Sequence, residues 1–300
     1  MNNMLFHYVI RNLAKYTYKF LHPNSYKHNR RYWPFYRVIR NEQGHIEKVF
    51  YRKQLVAEQS TAITPTHPTC VLVATGPSSK SIPAQYIDNK DIDFVGMNGA
   101  IALTHINFKH YVIIDHDFIQ NRFDLVQQVL NTRCNFFTTA RCLDEILKKI
   151  SLQNIQCQIK IIEIMSTGKL ERFMGDTLRQ HSNHPHAFFD QGFGFSLHYR
   201  DFIFDYYTVA YVALQIIFGL NYKTIYMAGV DLNHLNAPRF YETEQNKQPT
   251  LLNQHLDEIL TAFNTASILL KQKNIEVFNL SESSLVQCFA KKTEEISYVT

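Results

Sequence analysis

From residue 69 onward, short apolar runs alternate with helical patterns, and this alternation most constrains the fold. Strands separated by helical crossovers indicate a mostly parallel sheet with helices on both faces. In such sheets, ligands bind at the carboxyl ends of the strands. The sequence therefore predicts a Rossmann-like α/β fold. The predicted strands are 70–74, 93–97, 111–114, 135–138, 158–164, 224–228 and 275–279, and the predicted helices are 99–106, 118–131, 209–218 and about 251–272.

The charge distribution separates an N-terminal segment from the rest of the chain. Residues 1–53 hold eleven Lys and Arg against two Glu, although the whole chain has a net charge of only +5. A Thr- and Pro-rich stretch, 60–68, reads as a linker. We therefore predict a basic, aromatic N-terminal segment over 1–60 and a separate α/β domain over 69–290.

Residues 4–21 carry helical periodicity with a basic stripe beside an apolar face. This pattern is typical of a helix that lies in an anionic headgroup layer. A surface helix docked on its own core is an equal alternative. The stripe consists of Arg11, Lys15 and Lys19, and the face of Leu5, Val9, Leu13, Tyr16 and Phe20.

Hydropathy and cysteine usage bear on the compartment. The longest apolar stretch, around 209–220, is shorter than the roughly 20 residues that span a bilayer. Basic residues interrupt every apolar run near the start, unlike a secretory signal. The five cysteines are scattered without a CxxC pair, which favours reduced thiols over disulfides or a thiolate metal site. We expect a cytoplasmic protein that is peripheral on an anionic membrane surface.

The segment VLVATGPSSK, residues 71–80, is the strongest local motif. A glycine after a buried strand allows a sharp turn and a close backbone approach to a ligand. Exposed N–H groups, with the Ser78 and Ser79 hydroxyls, could then hold phosphate oxygens. The spacing fits neither a P-loop nor GxGxxG, and a simple turn is the alternative. The candidate nucleotide-binding residues here are Thr75, Gly76, Pro77 and Ser78.

Two further strand ends carry polar side chains. Asn98 follows the second predicted strand, where its amide could recognise a nucleotide or sugar. Asp115 and Asp117 follow the third and resemble the DxD pair that holds Mg²⁺ or Mn²⁺ in many sugar-nucleotide transferases. Because such a short pattern often arises by chance, we predict a nucleotide contact for Asp115 and no metal.

The block 206–241 contains the most concentrated polar and aromatic residues. Gly229 and Asp231 end a strand, and Asp231 could orient a sugar hydroxyl or act as a base. An aspartate in this position is also often a turn cap. Arg239 and Tyr241 could bind a phosphate or a sugar carboxylate. His255, at the next helix, is a candidate general base at neutral pH.

The stretches ATGPSSKSIP, MNGA and AGVDLNHLNAPRFYE resemble the lipopolysaccharide-core transferases that add a third Kdo, a 2-keto-acid sugar, to the inner core. They are more weakly similar to bacterial sialyltransferases of the Campylobacter and Haemophilus type. The resemblance covers about 70–110 and 195–285. It implies that Gly76, Pro77, Ser78 and Asn98 hold CMP, that Tyr241 binds phosphate, and that His255 lies near a catalytic histidine.

Thr208 matches a threonine of the sialyltransferases, but Val209 and Ala210 replace the Ser-Gly that follows it there. The resemblance implies a glycosyltransferase that moves Kdo from CMP-Kdo onto lipopolysaccharide by inverting single displacement, without a metal or other cofactor. The alternatives are a sialyltransferase acting on lipooligosaccharide and a protein that binds anionic lipid or nucleic acid. We expect lipopolysaccharide and an anionic membrane surface as partners and no nucleic acid, and a homo-oligomer stays open.

Overall fold

The structure, a computed structural model, describes residues 16–179, 184–233 and 235–292. Its centre is an eight-stranded sheet in the order β17-β16-β15-β4-β5-β6-β7-β8, and all neighbouring strands in it are parallel. The predicted α/β fold is therefore confirmed. The strands of this sheet are β4 Thr69–Val73, β5 Ile92–Met97, β6 Phe108–Ile113, β7 Asn135–Thr138, β8 Gln158–Ile161, β15 Thr224–Ala228, β16 Glu276–Asn279 and β17 Ala290–Lys291.

Three smaller sheets were not predicted. An antiparallel sheet near the N-terminus contains β1 Tyr36–Arg40, β2 Ile46–Tyr51 and β3 Gln54–Glu58. A four-stranded sheet contains β9 Ile164–Ser166, β10 Lys169–Glu171, β11 Thr177–Arg179 and β14 Ile203–Phe204, and a hairpin contains β12 Ala187–Asp190 and β13 Phe193–Ser196. The predicted strand 158–164 is thus split between two sheets.

The helices also differ in part from the prediction. The expected helix 99–106 is wrong: the chain forms a short 3-10 turn, Asn98–Ala102, where the Tyr111 hydroxyl accepts from Ile101 N and donates to Asn98 O, both at 2.7 Å. The predicted helix 118–131 is interrupted at Arg122, and two helices among the described residues, Ala84–Ile87 and Ala140–Lys149, were missed. The helices are α1 Ala84–Ile87, α2 His116–Asn121, α3 Phe123–Leu130, α4 Ala140–Lys149, α5 Val209–Gly219 and α6 Leu256–Gln272.

Helix α5 lies in the centre of the protein and is buried on every side from Ala210 to Ile217. It packs on β4, β5 and β6. Its one buried polar side chain, Gln215, accepts from the backbone N–H groups of Ser196 and Phe204 and donates to Phe204 O at 2.8 Å. Because a buried amide is costly unless paired, these bonds fix the chain that enters α5.

Residues 24–58, which the sequence assigned to the N-terminal segment, pack against the body of the protein. The Arg40 guanidinium forms two bonds to the Glu163 carboxylate, at 2.6 and 3.0 Å, and Glu163 also accepts from Phe173 N at 2.6 Å. Tyr36 donates to Asp144 at 3.3 Å. The small antiparallel sheet is thereby attached to the segment that follows β8.

The described part of the predicted N-terminal helix, 16–21, leaves its apolar side chains exposed. Phe20 is 91% exposed, Tyr16 76% and Leu21 62%, whereas Tyr18 is buried. Lys19 is exposed, and Arg11 and Lys15 lie outside the described residues. Within the described chain, no helix is long and apolar enough to cross a membrane.

The Arg40–Glu163 pair generates a stability prediction. Arg40→Leu leaves the buried Glu163 carboxylate without its cation, and we expect a loss of about 3–5 kcal/mol of unfolding free energy. The double variant Arg40→Leu/Glu163→Gln should recover part of this loss, because the orphaned charge is gone while the bond from Phe173 N can persist. Urea unfolding measures both.

Arg37→Leu is the matched control. Arg37 lies on the same strand, is exposed, and sits 4.8 Å from the Phe50 ring centroid. Its loss should cost no more than about 1 kcal/mol. Equal destabilisation by Arg37→Leu and Arg40→Leu would show that the pair does not hold the N-terminal sheet.

Candidate active site

Four loops meet at the carboxyl-terminal edge of the central sheet, because β15, β4, β5 and β6 are neighbours. The sheet grows from β4 towards β8 on one side and from β15 towards β17 on the other, so its topological switch point lies between β4 and β15. This is where ligands bind in sheets of this kind. The structure brings to this edge the residues predicted at four strand ends: Thr75 to Ser78, Asn98, Asp115, and Gly229 to Asp231.

The Asp231 carboxylate connects the two loops that flank the switch point. One oxygen accepts from Ser78 N at 3.0 Å and the other from Ser78 Oγ at 2.5 Å. Ser78 Oγ in turn accepts from Gly229 N at 3.1 Å, and Gly76 N donates to Gly229 O at 2.9 Å. Asp231 is 5% exposed. Both of its oxygens are therefore engaged in holding the loop after β4.

Close packing explains the glycines in these loops. A Cβ on Gly76 would lie 2.4 Å from an Asp231 oxygen and 2.6 Å from Gly229 O. Gly229 has φ +73° and touches Ser79 Oγ, which donates to the carbonyls of Ala74 and Gly76. The Ser78 and Ser79 hydroxyls, expected to face a phosphate, thus bond within the protein here. A ligand at this loop must either replace those hydrogen bonds or bind to the outer surface of the loop.

Tyr241 covers the loop after β5. Its ring packs on Gly99, where an added Cβ would lie 2.1 Å from the ring, and the Arg122 guanidinium lies 5.1 Å from the ring centroid. Phe240 N donates to Thr75 O at 3.3 Å, so the loop that carries Tyr241 also reaches β4. Burial raises the pKa of the Tyr241 hydroxyl, which keeps it a donor at neutral pH.

Two buried polar atoms in this part of the site lack a hydrogen-bond partner among the described residues. They are Asn98 Oδ1 and Arg122 Nη1. Asn98 has φ +44°, a left-handed conformation that Asn tolerates better than most residues. Unpaired buried polar atoms are uncommon in folded proteins, and a ligand or water is the usual reason for one. Arg122 was not singled out from the sequence, because nothing in its surroundings there distinguishes it from other surface arginines.

Asp115 caps helix α2: its side chain accepts from Asp117 N at 2.8 Å and from Phe118 N at 3.3 Å. Ligand atoms of Asp115, His116 and Asp117 lie within 4.8 Å of one another. Arg141 Nη2 lies 2.5 Å from His116 Nε2, however, and a guanidinium there competes with a cation for the same nitrogen. The hydrogen bonds of Asp115 fit its role as the N-cap of α2.

Asp205 belongs to this site, although sequence reasoning missed it. Burial raises the pKa of its carboxyl, and the nearby Asp115 carboxylate raises it further. Thr208, three residues on, caps α5 through a bond from Ala210 N at 3.4 Å and is buried. A lone aspartate inside FIFDYYTV is the available sequence signal, since a charge in an apolar run requires a reason.

His255 stacks on Tyr207, with ring centroids 3.5 Å apart and planes within 4°. Its Nδ1 lies 3.3 Å from Glu258 Oε1, which can orient the ring. Tyr207 follows Asp205 by two residues and has φ +60°. Arg239 lies in the loop beside Tyr241 and pairs with Glu242 at 2.8 Å. Acid, base and cation candidates therefore stand around one edge of the sheet.

The carboxyl-terminal third of the chain is similar to a known protein family. Residues 190–291 match the family model described as 3-deoxy-D-manno-octulosonic acid transferase WaaZ. A probable 3-deoxy-manno-octulosonic acid transferase of Salmonella typhimurium is 23% identical, over 78% of this chain and 87% of the relative. One with the same description from Escherichia coli K12 is 32% identical over 27% of each chain.

Two solved structures also align. The monofunctional α-2,3-sialyltransferase Cst-I of Campylobacter jejuni does so with a TM-score of 0.43 and 14% identity, over 79% of this chain and 84% of that one. The sialyltransferase CST-II aligns with a TM-score of 0.39 and 14% identity, over 75% and 86%. The family match and the curated relatives confirm the resemblance and the enzyme class predicted from the sequence, a glycosyltransferase.

The raised pKa of Asp205 has a measurable consequence for stability. A carboxyl whose pKa is higher in the folded than in the unfolded state opposes folding once it ionises, so its penalty is absent at low pH and grows as pH rises through the folded pKa. Asp205→Asn should therefore raise the melting temperature at about pH 7 by more than at about pH 4.

Asp91→Asn is the control, because Asp91 is 88% exposed. Its melting temperature should follow the wild-type curve at both pH values. A gain from Asp205→Asn that does not depend on pH would contradict the assignment of a desolvated carboxyl at this position.

Proposed function

We propose, from the family match over residues 190–291, that the chain transfers Kdo from CMP-Kdo onto the inner core of lipopolysaccharide. The observation that carries the proposal is the placement of the matched region. It supplies Asp205, Asp231, Tyr241 and His255 to the edge of the sheet where a parallel α/β fold binds its ligand. The region before it supplies the loops after β4, β5 and β6.

The donor would lie across the switch point, with CMP against the loops after β4 and β5. In this arrangement Thr75, Gly76, Pro77, Ser78 and Gly229 shape the nucleotide site. Asn98, Asp115 and Thr208 lie on its far side. Kdo and the CMP phosphate are both anionic, and a cation with free N–H groups suits them. Arg122 pairs with Asp124 through Nε and Nη2, but its Nη1 has no hydrogen-bond partner among the described residues and would serve as such a donor beside Tyr241. Arg239 and Tyr241 would add donors from the covering loop.

The geometry suggests different roles for the two predicted catalytic residues. Asp231 uses both oxygens to hold Ser78, so we assign it to positioning the nucleotide loop. His255 would take the proton from the acceptor hydroxyl, because Glu258 at Nδ1 orients the ring and directs Nε2 outward. Asp205 is the competing base, since a raised pKa makes a carboxylate a stronger proton acceptor.

The proposed reaction is a single displacement with inversion. The acceptor oxygen attacks C2 of Kdo as the C2–O bond to CMP breaks, and the proton passes to the base. Negative charge then grows on the departing phosphate, which preorganised donors stabilise. We propose that no metal takes part, because Asp115 is engaged as a helix cap and Arg141 occupies the side of His116 that a cation would need.

The acceptor is anchored in a membrane, and the N-terminal helix is suited to meet that surface. Lys19 and the exposed Tyr16, Phe20 and Leu21 place cationic and apolar groups on one short helix. A cavity farther along the chain has four basic side chains and two acidic ones in its lining, and Lys27 and Arg30 add cations there. An apolar face with adjacent cations is what an interfacial helix presents to anionic lipid. We propose peripheral attachment to the inner leaflet of the inner membrane.

A transfer assay with purified chain tests the function. We expect CMP-Kdo to be used in preference to CMP-sialic acid, with a deacylated inner-core oligosaccharide as acceptor. Activity should persist in excess EDTA. His255→Gln should lower kcat by about 10²- to 10⁴-fold, as expected for the loss of a general base.

His105→Gln, which changes an exposed histidine elsewhere on the chain, should leave kcat unchanged. A preference for CMP-sialic acid would mean that this sugar nucleotide, and not CMP-Kdo, is the donor. Loss of activity in EDTA that Mg²⁺ or Mn²⁺ restores and Zn²⁺ does not would overturn the metal-independent mechanism. A larger loss in Asp205→Asn than in His255→Gln would transfer the role of base to Asp205.

Co-sedimentation with anionic vesicles tests the membrane contact. Each basic residue near such a surface contributes on the order of 1 kcal/mol, and salt screens the effect. Replacing Arg11, Lys15 and Lys19 together by Glu should therefore release the chain from vesicles at low salt. Transfer to the soluble acceptor should be unaffected.

The control reverses three exposed lysines of the body, Lys90, Lys109 and Lys273, with the same change in net charge. It should sediment like wild type. Release of the control to the same extent would mean that net charge, and not the helix, governs attachment. Sedimentation of the first variant like wild type would return the helix to a packing role.

A further inference from the structure

Three histidines converge on one carboxylate away from the edge of the sheet that carries the proposed chemistry. His45 Nε2 contacts one oxygen of Asp201, His186 Nδ1 lies 2.5 Å from the other, and His198 Nδ1 lies 3.6 Å from that second oxygen. The rings of His45 and His198 stack with centroids 5.0 Å apart. Ligand atoms of His45, His198 and Asp201 all lie within 4.8 Å of one another.

Separate parts of the chain build this cluster. His45 closes the turn between β1 and β2, where its backbone N–H bonds to Asn41 Oδ1 at 2.9 Å. His186 and His198 flank the β12–β13 hairpin, because Leu197 N donates to His186 O at 2.9 Å. Asp201 follows His198 in a turn closed by Asp201 N and His198 O at 3.0 Å. Backbone bonds therefore fix each ligand position.

We propose that His45, His186, His198 and Asp201 bind one Zn²⁺ ion in a structural site. Three imidazole nitrogens and one carboxylate oxygen are a donor set that zinc accepts in tetrahedral geometry, with bonds of about 2.0–2.2 Å. The ligand atoms of His45, His198 and Asp201 lie within 4.8 Å of one another, and His186 joins them through its contact with Asp201. Side-chain rotations would bring the four ligand atoms to bonding distance. The histidines bind as neutral imidazoles, each through the nitrogen that carries no proton.

The four ligand side chains differ in burial, and this difference suits an ion that enters from solvent. The side chains of His45 and Asp201 are 13% and 12% exposed, and those of His186 and His198 are 54% and 46% exposed. The two buried ligands would hold the ion against the protein, and the two exposed ones would close over it. His184, whose ring lies 5.6 Å from that of His186, stands at the rim of the cluster.

The site would connect the N-terminal sheet to the segment that leads into the active site. Asp201 is two residues before β14, and Asp205 follows β14 directly. Zinc would therefore fix one end of the short segment whose other end bears Asp205 and Tyr207. The inference is independent of the sugar that the enzyme transfers, because it uses residues and contacts outside the proposed donor site.

The test uses the full chain without an affinity tag, stripped with a chelator and dialysed free of it. Titration calorimetry with Zn²⁺ should give one ion per chain, and zinc should raise the melting temperature. Co²⁺ in place of zinc should give the intense visible absorption of a tetrahedral centre. His186→Ala and His198→Ala should each weaken zinc binding by about tenfold or more, since even outer-shell changes cost that much.

His186 is the informative variant, because it is the most exposed ligand and its loss should leave the fold intact by circular dichroism. His105→Ala, at an exposed histidine with no part in the cluster, should bind zinc like wild type. The site would be overturned if the folded wild-type chain takes up no zinc. It would also be overturned if the His186→Ala and His198→Ala variants bind zinc as tightly as wild type. Octahedral Co²⁺ spectra would overturn the proposed ligand set.

Discussion

The contact between Asp231 and Ser78 is the interaction on which the arrangement of the candidate active site depends. It joins the loops after β15 and β4 across the switch point of the sheet. Hydrogen bonds to an ionised carboxylate are stronger than neutral ones, and this one is almost fully shielded from water. The adjoining backbone bonds between Gly76 and Gly229 allow no side chain at either position. The two glycines, the shape of the two loops and the candidate ligand site therefore all depend on the Asp231 carboxylate.

The part of the candidate site that contains Asp205 depends on the buried helix α5 and not on a contact between two loops. Gln215 of α5 bonds to the backbone at Ser196 and Phe204, so the chain on either side of the turn 197–202 is fixed before it reaches Asp205. The Arg40–Glu163 pair acts further out, where Ile203 N donates to Glu163 O at 2.9 Å. Core packing thus reaches the edge that carries the candidate site through the same short strand, β14. The proposed zinc site would reinforce that strand from its other side.

The sequence predicted the central sheet well because buried parallel strands leave a local pattern. The strands Asn135–Thr138 and Thr224–Ala228 have the predicted bounds, and the turn residues after each strand indicated the ligand edge. The three small sheets left no such pattern, since β9, β10, β11 and β14 have only two or three residues and the strands of the N-terminal sheet are only partly buried. Helix α4 was missed although its N-cap, Thr139, and the basic residues of its last turn are ordinary helix signals.

The sequence predicted less of the candidate site than of the sheet, and the reason is different. Polar residues after strands could be found from sequence, but their partners could not. Nothing local indicates that Asp231 is occupied by Ser78. The capping by Asp115 is local, and an aspartate before a helix is an N-cap signal that the sequence interpretation did not use. Asp205 and Arg122 gain their chemical character from burial and from neighbours distant in sequence, Asp115 and Tyr241. Such properties belong to the folded protein and have no periodic signature.

The site also contains groups that the fold holds at a cost. Asn98 keeps a left-handed backbone and a buried oxygen without a partner among the described residues, and Asp205 keeps a carboxyl where burial opposes its charge. Each such feature destabilises a protein by an amount on the order of 1–3 kcal/mol. They lie together at the ligand edge, whereas the polar groups Gln215 and Glu163, which support that edge from within, are fully paired. A bound substrate that donates an N–H or O–H to Asn98 Oδ1 and accepts from Arg122 Nη1 would recover part of that cost. The same unsatisfied atoms that weaken the empty protein would thereby contribute to the affinity for its substrate.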